Sequence, residues 1–116
     1  MRGQMKNKIN YSAEAKRDLE DIWDYVAFEL SNPSAARRTV NRIMDDVDRL
    51  ASFPELGALL SSITNRVTDY RYLVSGNYLT FYRVLGDAVY VDRILFGRRD
   101  YLRILFGDIT GESSCE

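Results

Sequence analysis

Apolar residues recur at three- and four-residue steps along two consecutive stretches of the N-terminal half, a spacing typical of amphipathic helices. The first stripe runs through Ala15, Leu19, Ile22, Trp23, Val26 and Leu30. The second runs through Ala36, Val40, Ile43, Met44, Val47, Leu50 and Ala51. The charged residues outside the first stripe are expected to face solvent: Lys16, Asp18, Glu20, Asp21 and Asp24.

Capping and breaking residues set the expected ends of these helices. Ser12 and Ser34 are predicted N-caps, because a serine hydroxyl accepts a hydrogen bond from a free N–H of the first turn. Pro33 separates the two stripes and Pro54 ends the second one. The pattern therefore predicts an antiparallel helical hairpin.

The C-terminal half changes to aromatic and β-branched residues, which favour strands. Strands are predicted over residues 70–74, 78–85 and 88–96, joined by turns at 75–77 and 86–87. Residues 9–11 could add a short strand, residues 55–69 are predicted to form a loop, and residues 101–106 suggest one or two helical turns. The expected fold is α+β: a helical hairpin on an antiparallel sheet of three to four strands, with a short C-terminal helical segment.

Both faces of the middle strand are largely apolar, whereas a sheet covered on one side should show a polar face. The hairpin can cover one face. The other must be covered by the C-terminal segment or by something outside the chain, and an exposed apolar face would mark a partner surface. The residues on that second face are the predicted partner contacts: Leu79, Phe81, Arg83 and Leu85.

Composition narrows the chemistry. A chain of 116 residues with 46% hydrophobic residues suits one domain, expected over residues 1–106, with residues 107–116 as an acidic, disordered tail. The absence of histidine removes the usual catalytic triads and most zinc sites, and no cofactor or metal is expected. Cys115 has no partner for an intrachain disulfide, and no apolar run suits a membrane span or a secretion signal. These features indicate a cytoplasmic protein.

Arginine gives the only chemical signal. Residues 66–106 carry seven arginines and no lysine against four aspartates, although the whole chain has a net charge of −1. Arg71 and Arg83 are expected to lie near each other, with Arg98 and Arg99 at a sheet edge, where guanidinium groups could bind phosphate. The alternative is that these are surface arginines paired with Asp69, Asp92 and Asp100.

Four sequence segments carry a resemblance to a known family: AEAKRDLEDIWDYV in the first helix, FPELG after the second, and the later GNYLTFYRV and GRRDY. Over residues 8–106 the chain resembles the RelE/ParE superfamily of toxins from type II toxin–antitoxin (plasmid stabilisation) systems. The resemblance implies two helices against an antiparallel sheet. It also implies neutralisation by an antitoxin that lays a helix or an extended segment over the sheet and its edge.

The family divides by function, since RelE-like members cleave messenger RNA on the ribosome and ParE-like members poison DNA gyrase. Arg71 matches one basic strand position of the cleaving branch, and Arg98 or Arg99 matches the basic residue after the last strand. Leucines occupy other positions where that branch has basic residues, and Tyr101 would have to replace its C-terminal tyrosine. The departures favour the ParE-like branch.

Three hypotheses remain at the level of the sequence. The first is a ParE-like toxin that inhibits a host target by binding and is neutralised by a cognate antitoxin. The second is a ribosome-dependent mRNA endoribonuclease (an mRNA interferase) that uses Arg71, Arg98, Arg99 and Tyr101. In that enzyme the arginines would stabilise the charged phosphorane and Tyr101 would remove the proton. The third is a degenerate member that only binds its partner.

Overall fold

A computed structural model of the protein describes residues 7–62, 67–97 and 101–106, with side chains in the last range from Arg103 onward. The strands are β1 (Lys8–Tyr11), β2 (Ala58–Leu59), β3 (Arg71–Ser75), β4 (Tyr78–Leu85) and β5 (Ala88–Phe96). The helices are α1 (Ala13–Asp24), α2 (Pro33–Asp48) and α3 (Tyr101–Phe106). A π-helical turn, Tyr25–Glu29, extends α1, and 3₁₀ turns follow α2 (Arg49–Ala51) and β2 (Leu60–Ser62). The predicted tail, residues 107–116, lies outside the described residues.

The predicted α+β architecture, with a helical hairpin packed on a sheet, is confirmed. The sheet has five strands in the order β1-β5-β4-β3-β2, and so more strands than the sequence pattern predicted. The possible strand at residues 9–11 is found as β1, which pairs in parallel with β5, and the additional strand is the two-residue β2, which pairs with β3 inside the predicted loop. The sheet is therefore mixed, with the predicted antiparallel meander at its centre.

The first helix begins where the sequence predicts, and the second is capped two residues earlier than expected. Ser12 Oγ accepts a hydrogen bond from the Ala15 N–H (2.9 Å) and donates one to the Asp92 carbonyl (2.7 Å). At the second helix, Asn32 is the cap, because its Oδ1 accepts from the Ala35 N–H at 3.1 Å. The helix begins at Pro33, where the missing N–H of proline costs nothing. Ser34 therefore lies inside the first turn and is not the cap.

The side chains of β4 alternate between the two faces of the sheet as the sequence predicts. Tyr82 is fully buried against the helical hairpin. Phe81 is fully buried on the other face, where it packs with Leu60 and Leu95 and is flanked by aliphatic and aromatic residues of α3. The chain itself thus covers the second face of the sheet around Phe81.

A bulge interrupts the pairing of β4 with β5. Phe81 lies opposite Arg93, whereas the next residue of β4, Tyr82, lies opposite Val91. Asp92 is therefore an extra residue in β5, and a bulge of this kind re-aims the side chains beside it. At the bulge, the Asp92 side chain turns toward Tyr70 and the Arg93 side chain turns toward α1.

Asp18 of α1 is bound at this bulge. Its carboxylate accepts hydrogen bonds from Arg93 Nε and Nη2, both at 2.8 Å, and from the Ile94 N–H at 2.9 Å. Asp18 is buried, so the expectation that it faces solvent is wrong. The carboxylate is stable there because a two-pronged guanidinium and a backbone amide replace its water. The same hydrogen bond raises the pKa of Arg93, which stays charged.

Removal of the Asp18 carboxylate should strongly destabilise the fold. We expect Asp18→Ala to lower the free energy of unfolding by about 3–5 kcal/mol, because it leaves Arg93 without its counter-ion and the Ile94 N–H without an acceptor. Urea unfolding followed by circular dichroism measures the change. The matched control is Asp21→Ala on the exposed side of the same helix, expected to change stability by less than about 0.5 kcal/mol. Equal effects of the two substitutions would contradict the assignment.

Candidate functional site

The three arginines on the strands do not form one cluster. In the register of β3 and β4, Arg71 lies opposite Tyr82, and directly opposed residues share a face of the sheet. Arg83 is the next residue along β4 and points to the other face. The expectation that Arg71 and Arg83 lie near each other is therefore wrong. Arg93, at the bulge, is turned toward α1.

Arg71 binds the loop that follows α2. Its Nη1 donates to the carbonyl oxygens of Gly57 (2.8 Å) and Glu55 (3.5 Å). The buried Tyr82 hydroxyl binds the same loop, since it donates to the Pro54 carbonyl at 2.8 Å and accepts from the Gly57 N–H at 2.9 Å. Together the two side chains fix the FPELG segment against the sheet.

Glycine is required at position 57 because the sheet backbone approaches it closely. A Cβ atom there would lie 2.6 Å from the Tyr72 carbonyl oxygen and 2.7 Å from the Tyr82 hydroxyl. Both distances are too short for a carbon atom. The motif that carried part of the family resemblance thus has a structural role in holding the loop.

Tyr70, Arg83 and Asp92 form a polar cluster on the second face of the sheet. The Tyr70 hydroxyl donates to the Asp92 carboxylate, and Arg83 Nε lies 3.5 Å from Asp92 Oδ2. The Arg83 guanidinium also lies 5.4 Å from the centre of the Tyr70 ring, within range of a cation–π contact. The pairing of an arginine with Asp92, which the sequence left as an alternative, is found at Arg83.

Electrostatics keep the Tyr70 hydroxyl protonated. Burial is the largest cause that raises its pKa, followed by the hydrogen bond to Asp92 and the charge of that carboxylate, while Arg83 acts in the opposite direction. A phenol in this state is a poor proton acceptor. The cluster therefore holds a neutral hydroxyl and a paired guanidinium beside α3, where the Tyr70 ring meets Phe106 edge to face at 5.8 Å.

The predicted partner contacts differ widely in exposure. Phe81 is fully buried because α3 and Leu60 cover it, so at this residue the C-terminal segment is the cover, one of the two alternatives that the sequence allows. Leu79 and Arg83 are half-buried, and Leu85 is exposed at the end of β4. Their role in partner binding remains a prediction.

The other predicted catalytic residues fall where the structure gives no side chains. Arg98 and Arg99 lie outside the described residues, and Tyr101 begins α3 with its side chain outside them. Of the four candidates only Arg71 has a described side chain, and it binds the FPELG loop. The grouping of the four into one site stays a prediction.

A further cavity of about 700 Å³ lies between α2 and β3 and has mixed charge. Asp46 accepts a hydrogen bond from Ser75 Oγ at 2.7 Å, which joins the helix to the sheet. Arg42 and Arg49 lie 4.0 and 3.9 Å from the same carboxylate and remain largely exposed. Exposed pairs of this length contribute little stability, and the surface has no dominant charge for a ligand to recognise.

Within the ranges 7–62, 67–97 and 101–106, no three His, Cys, Asp or Glu side chains are arranged to hold a metal ion. In the same ranges no helix is long and apolar enough to cross a membrane.

The sequence matches a family model described as the ParE toxin of the type II toxin–antitoxin system parDE, over residues 9–101. The chain belongs to the ParE toxin family. The match covers both helices of the hairpin and every strand of the sheet except the first residue of β1, and it ends at the first residue of α3. The resemblance to the RelE/ParE superfamily is confirmed, and this ParE-family protein is a toxin of a type II toxin–antitoxin system.

Solved structures agree with this assignment. A chain of the chromosomal ParDE toxin–antitoxin system from Pseudomonas aeruginosa is 25% identical, with a TM-score of 0.66 over 78% of this chain and 96% of that one. A chain of the RelBE2 toxin–antitoxin complex from Mycobacterium tuberculosis is 17% identical, with a TM-score of 0.59 over 78% and 98% of the two chains, and shows the shared fold. A search of curated proteins gives no significant match.

Two polar contacts of the folded protein are not evident from the sequence: that of Asp18 with Arg93 and that of Tyr70 with Asp92. Asp18 looks like an ordinary exposed residue of an amphipathic helix, and only the position of Arg93 across the fold reveals its partner. The sequence pattern puts Tyr70 at the start of a strand, and nothing local indicates its hydrogen bond to Asp92, which is distant in sequence. The short-range signal that could have helped is the Asp92-Arg93 pair itself, which interrupts an apolar strand.

Tyr82 tests the role of the FPELG loop. We expect Tyr82→Phe to lower the free energy of unfolding by about 1–3 kcal/mol, because the Gly57 N–H and the Pro54 carbonyl lose their buried partner. Chemical denaturation gives the value. Tyr90→Phe, the same change at a side chain that is 39% exposed on β5, is the control and should stay within about 0.5 kcal/mol of the parent protein. A Tyr82→Phe protein as stable as this control would rule out the hydroxyl bridge.

The raised pKa of Tyr70 predicts a loss of stability in alkali. The folded protein disfavours the phenolate, whereas the unfolded chain ionises near the ordinary value of 10.0. The stabilising effect is thus complete below pH 10 and declines as the pH rises above it. The urea concentration at the midpoint of unfolding is measured at about pH 8 and at about pH 11 for both proteins. We expect it to decrease less in Tyr70→Phe than in the parent protein. An unchanged fall would show that Tyr70 is not a source of the pH dependence.

Proposed function

We propose that this ParE-family toxin inhibits DNA gyrase by binding to it, without catalysis of its own, and that a cognate antitoxin neutralises it in the cytoplasm. The observation that carries the proposal is the state of the strand arginines. Arg71 donates to loop carbonyls, Arg83 is paired with Asp92, and Arg93 is held by Asp18. Each guanidinium is engaged with the protein itself.

The chemistry of RNA cleavage explains why this observation matters. Attack by a ribose 2′-hydroxyl requires a group that accepts its proton and cations aimed at the phosphorane oxygens. Arg71 and Arg93 would have to give up internal hydrogen bonds, and Arg83 its ion pair, before they could stabilise a phosphate. Tyr70, whose ring centre lies 5.4 Å from the Arg83 guanidinium, is kept protonated by burial and by its hydrogen bond to Asp92, both of which raise its pKa. These features support inhibition by binding.

The comparisons support the antitoxin partner. The two structural neighbours named above come from a ParDE toxin–antitoxin system and a RelBE2 toxin–antitoxin complex, and the family model describes a parDE toxin. We infer that this chain is likewise paired with an antitoxin, and a reading frame directly beside its gene is the first place to look. The antitoxin should then restore growth when the two are expressed together.

Two reactions with the purified chain separate the candidate targets. We expect it to inhibit supercoiling of relaxed plasmid by DNA gyrase, while messenger RNA in a cell-free translation reaction stays intact when its 5′ ends are mapped. Addition of the antitoxin should restore supercoiling, which controls for non-specific inhibition.

Two other outcomes of these reactions would overturn the proposal. New 5′ ends within codons, together with unaffected gyrase, would overturn the proposal and establish a ribosome-dependent nuclease. Arg98→Ala or Arg99→Ala should then abolish cleavage and leave antitoxin binding unchanged. Intact message with fully active gyrase would also overturn the gyrase assignment and leave a chain that only binds its partner.

A further inference from the structure

A groove opens between the C-terminal half of α1 and the adjacent ends of β4 and β5. Its volume is about 400 Å³. Ile22 and Ile94 are buried at its base, and Tyr25 and Phe96 form walls that are 53% and 40% exposed. Tyr78 lies between these walls, 5.8 Å from the Phe96 ring centre. We call this the hairpin-end groove.

The apolar surface continues beyond the groove onto the turn of the helical hairpin. Phe28 is 71% exposed and Leu30 is 55% exposed, which is unusual for large apolar side chains placed so close together. They belong to the π-helical turn and its end, where Ser31 has a positive φ of 52°. A π-helical turn is rare and frequently marks a functional site. The local backbone departs from ordinary helix where the apolar side chains are exposed.

Asp21 lines the groove and makes its rim acidic, and the stretch of chain around it carries the same charge. From Glu20 to Glu29 the chain carries four carboxylates, Glu20, Asp21, Asp24 and Glu29, and no basic side chain. None of the four forms a salt bridge with a residue in the described part of the chain. Carboxylates near the C-terminal end of a helix oppose its dipole, so this arrangement does not serve the stability of α1. A role in recognition accounts for it.

The exposed apolar side chains and the neighbouring carboxylates together indicate the chemistry of the ligand. We propose that the hairpin-end groove binds a short amphipathic segment of the cognate antitoxin, with apolar side chains between Tyr25 and Phe96 and lysine or arginine against Asp21. This rests on the antitoxin partner of the proposed function and adds the chemistry of its contact. The acidic rim repels phosphate, which excludes nucleic acid as the occupant of this surface. Anchoring of an apolar face in a groove is a common mode of peptide recognition.

The first test measures the affinity of variants for the antitoxin that restores growth. We expect Asp21→Lys and Tyr25→Ala each to raise the Kd by about tenfold or more in calorimetry. The controls are Asp87→Lys, the same charge change at the far turn between β4 and β5, and Tyr90→Ala, a similarly exposed tyrosine on β5. Both controls should bind within about twofold of the parent. Circular dichroism confirms that each variant is folded.

A second test does not depend on the antitoxin. Two designed peptides of about four helical turns, one of leucine and lysine and one of leucine and glutamate, are titrated into the full chain. We expect the lysine peptide to shift the NMR signals of Tyr25, Phe28 and Phe96 and to bind at least about tenfold more tightly than the glutamate peptide. Asp21→Lys should remove that preference.

The outcomes separate the inference from the function on which it rests. Parent-like antitoxin affinity of Asp21→Lys and Tyr25→Ala would overturn the groove assignment and leave the proposed function standing. Failure of any antitoxin to bind the parent protein would overturn the proposed function, and the peptide titration would still decide the chemistry of the groove. A dimer of the free chain that Tyr25→Ala converts to monomer would assign the groove to a second copy and overturn the antitoxin assignment.

Discussion

The position of the sheet relative to the helices depends on one buried carboxylate. Asp18 accepts three hydrogen bonds from the bulged strand β5, two of them from the guanidinium of Arg93. The bulge makes this possible, because the extra residue, Asp92, leaves the Ile94 N–H and the Arg93 side chain directed at α1. The same extra residue directs Asp92 to the other face, where it binds Tyr70 and Arg83. One inserted residue therefore supplies a polar anchor on each side of the sheet.

The arginine-rich half of the chain uses these cations for its own architecture. Arg71 holds the loop after α2, Arg83 pairs on the second face, and Arg93 fixes the first helix. Arginine suits all three places, since its planar group gives several directed donors and stays charged when partly buried. A cluster of arginines in a sequence suggests phosphate binding, but the fold places these three at separate sites, where Arg71 and Arg93 donate hydrogen bonds to the protein and Arg83 forms an ion pair.

The sequence predicts correctly the elements whose apolar residues recur at a short, regular spacing. The helical hairpin and the meander follow from apolar spacing within single elements, so neighbouring residues were sufficient to place them. The burial of Asp18, the bulge at Asp92 and the two-residue β2 each depend on a partner that is distant in sequence. The sequence does not decide whether the C-terminal segment or an outside partner covers Phe81. Only the packed position of α3 shows that the chain itself covers it. For the site, the pairing of Arg83 with Asp92 was foreseen only as an alternative.

Charge is divided between the sheet and the helices in a way that bears on function. Each described strand arginine lies against an acceptor of the protein itself, whereas the carboxylates between Glu20 and Glu29 stand beside exposed aromatic rings and form no salt bridge in the described part of the chain. A surface built for a polyanion would show the reverse, with unpaired cations outward. Aromatic side chains rimmed by unpaired carboxylates suit a protein segment that brings both apolar and basic groups. In this toxin, recognition at the hairpin end is therefore recognition of protein.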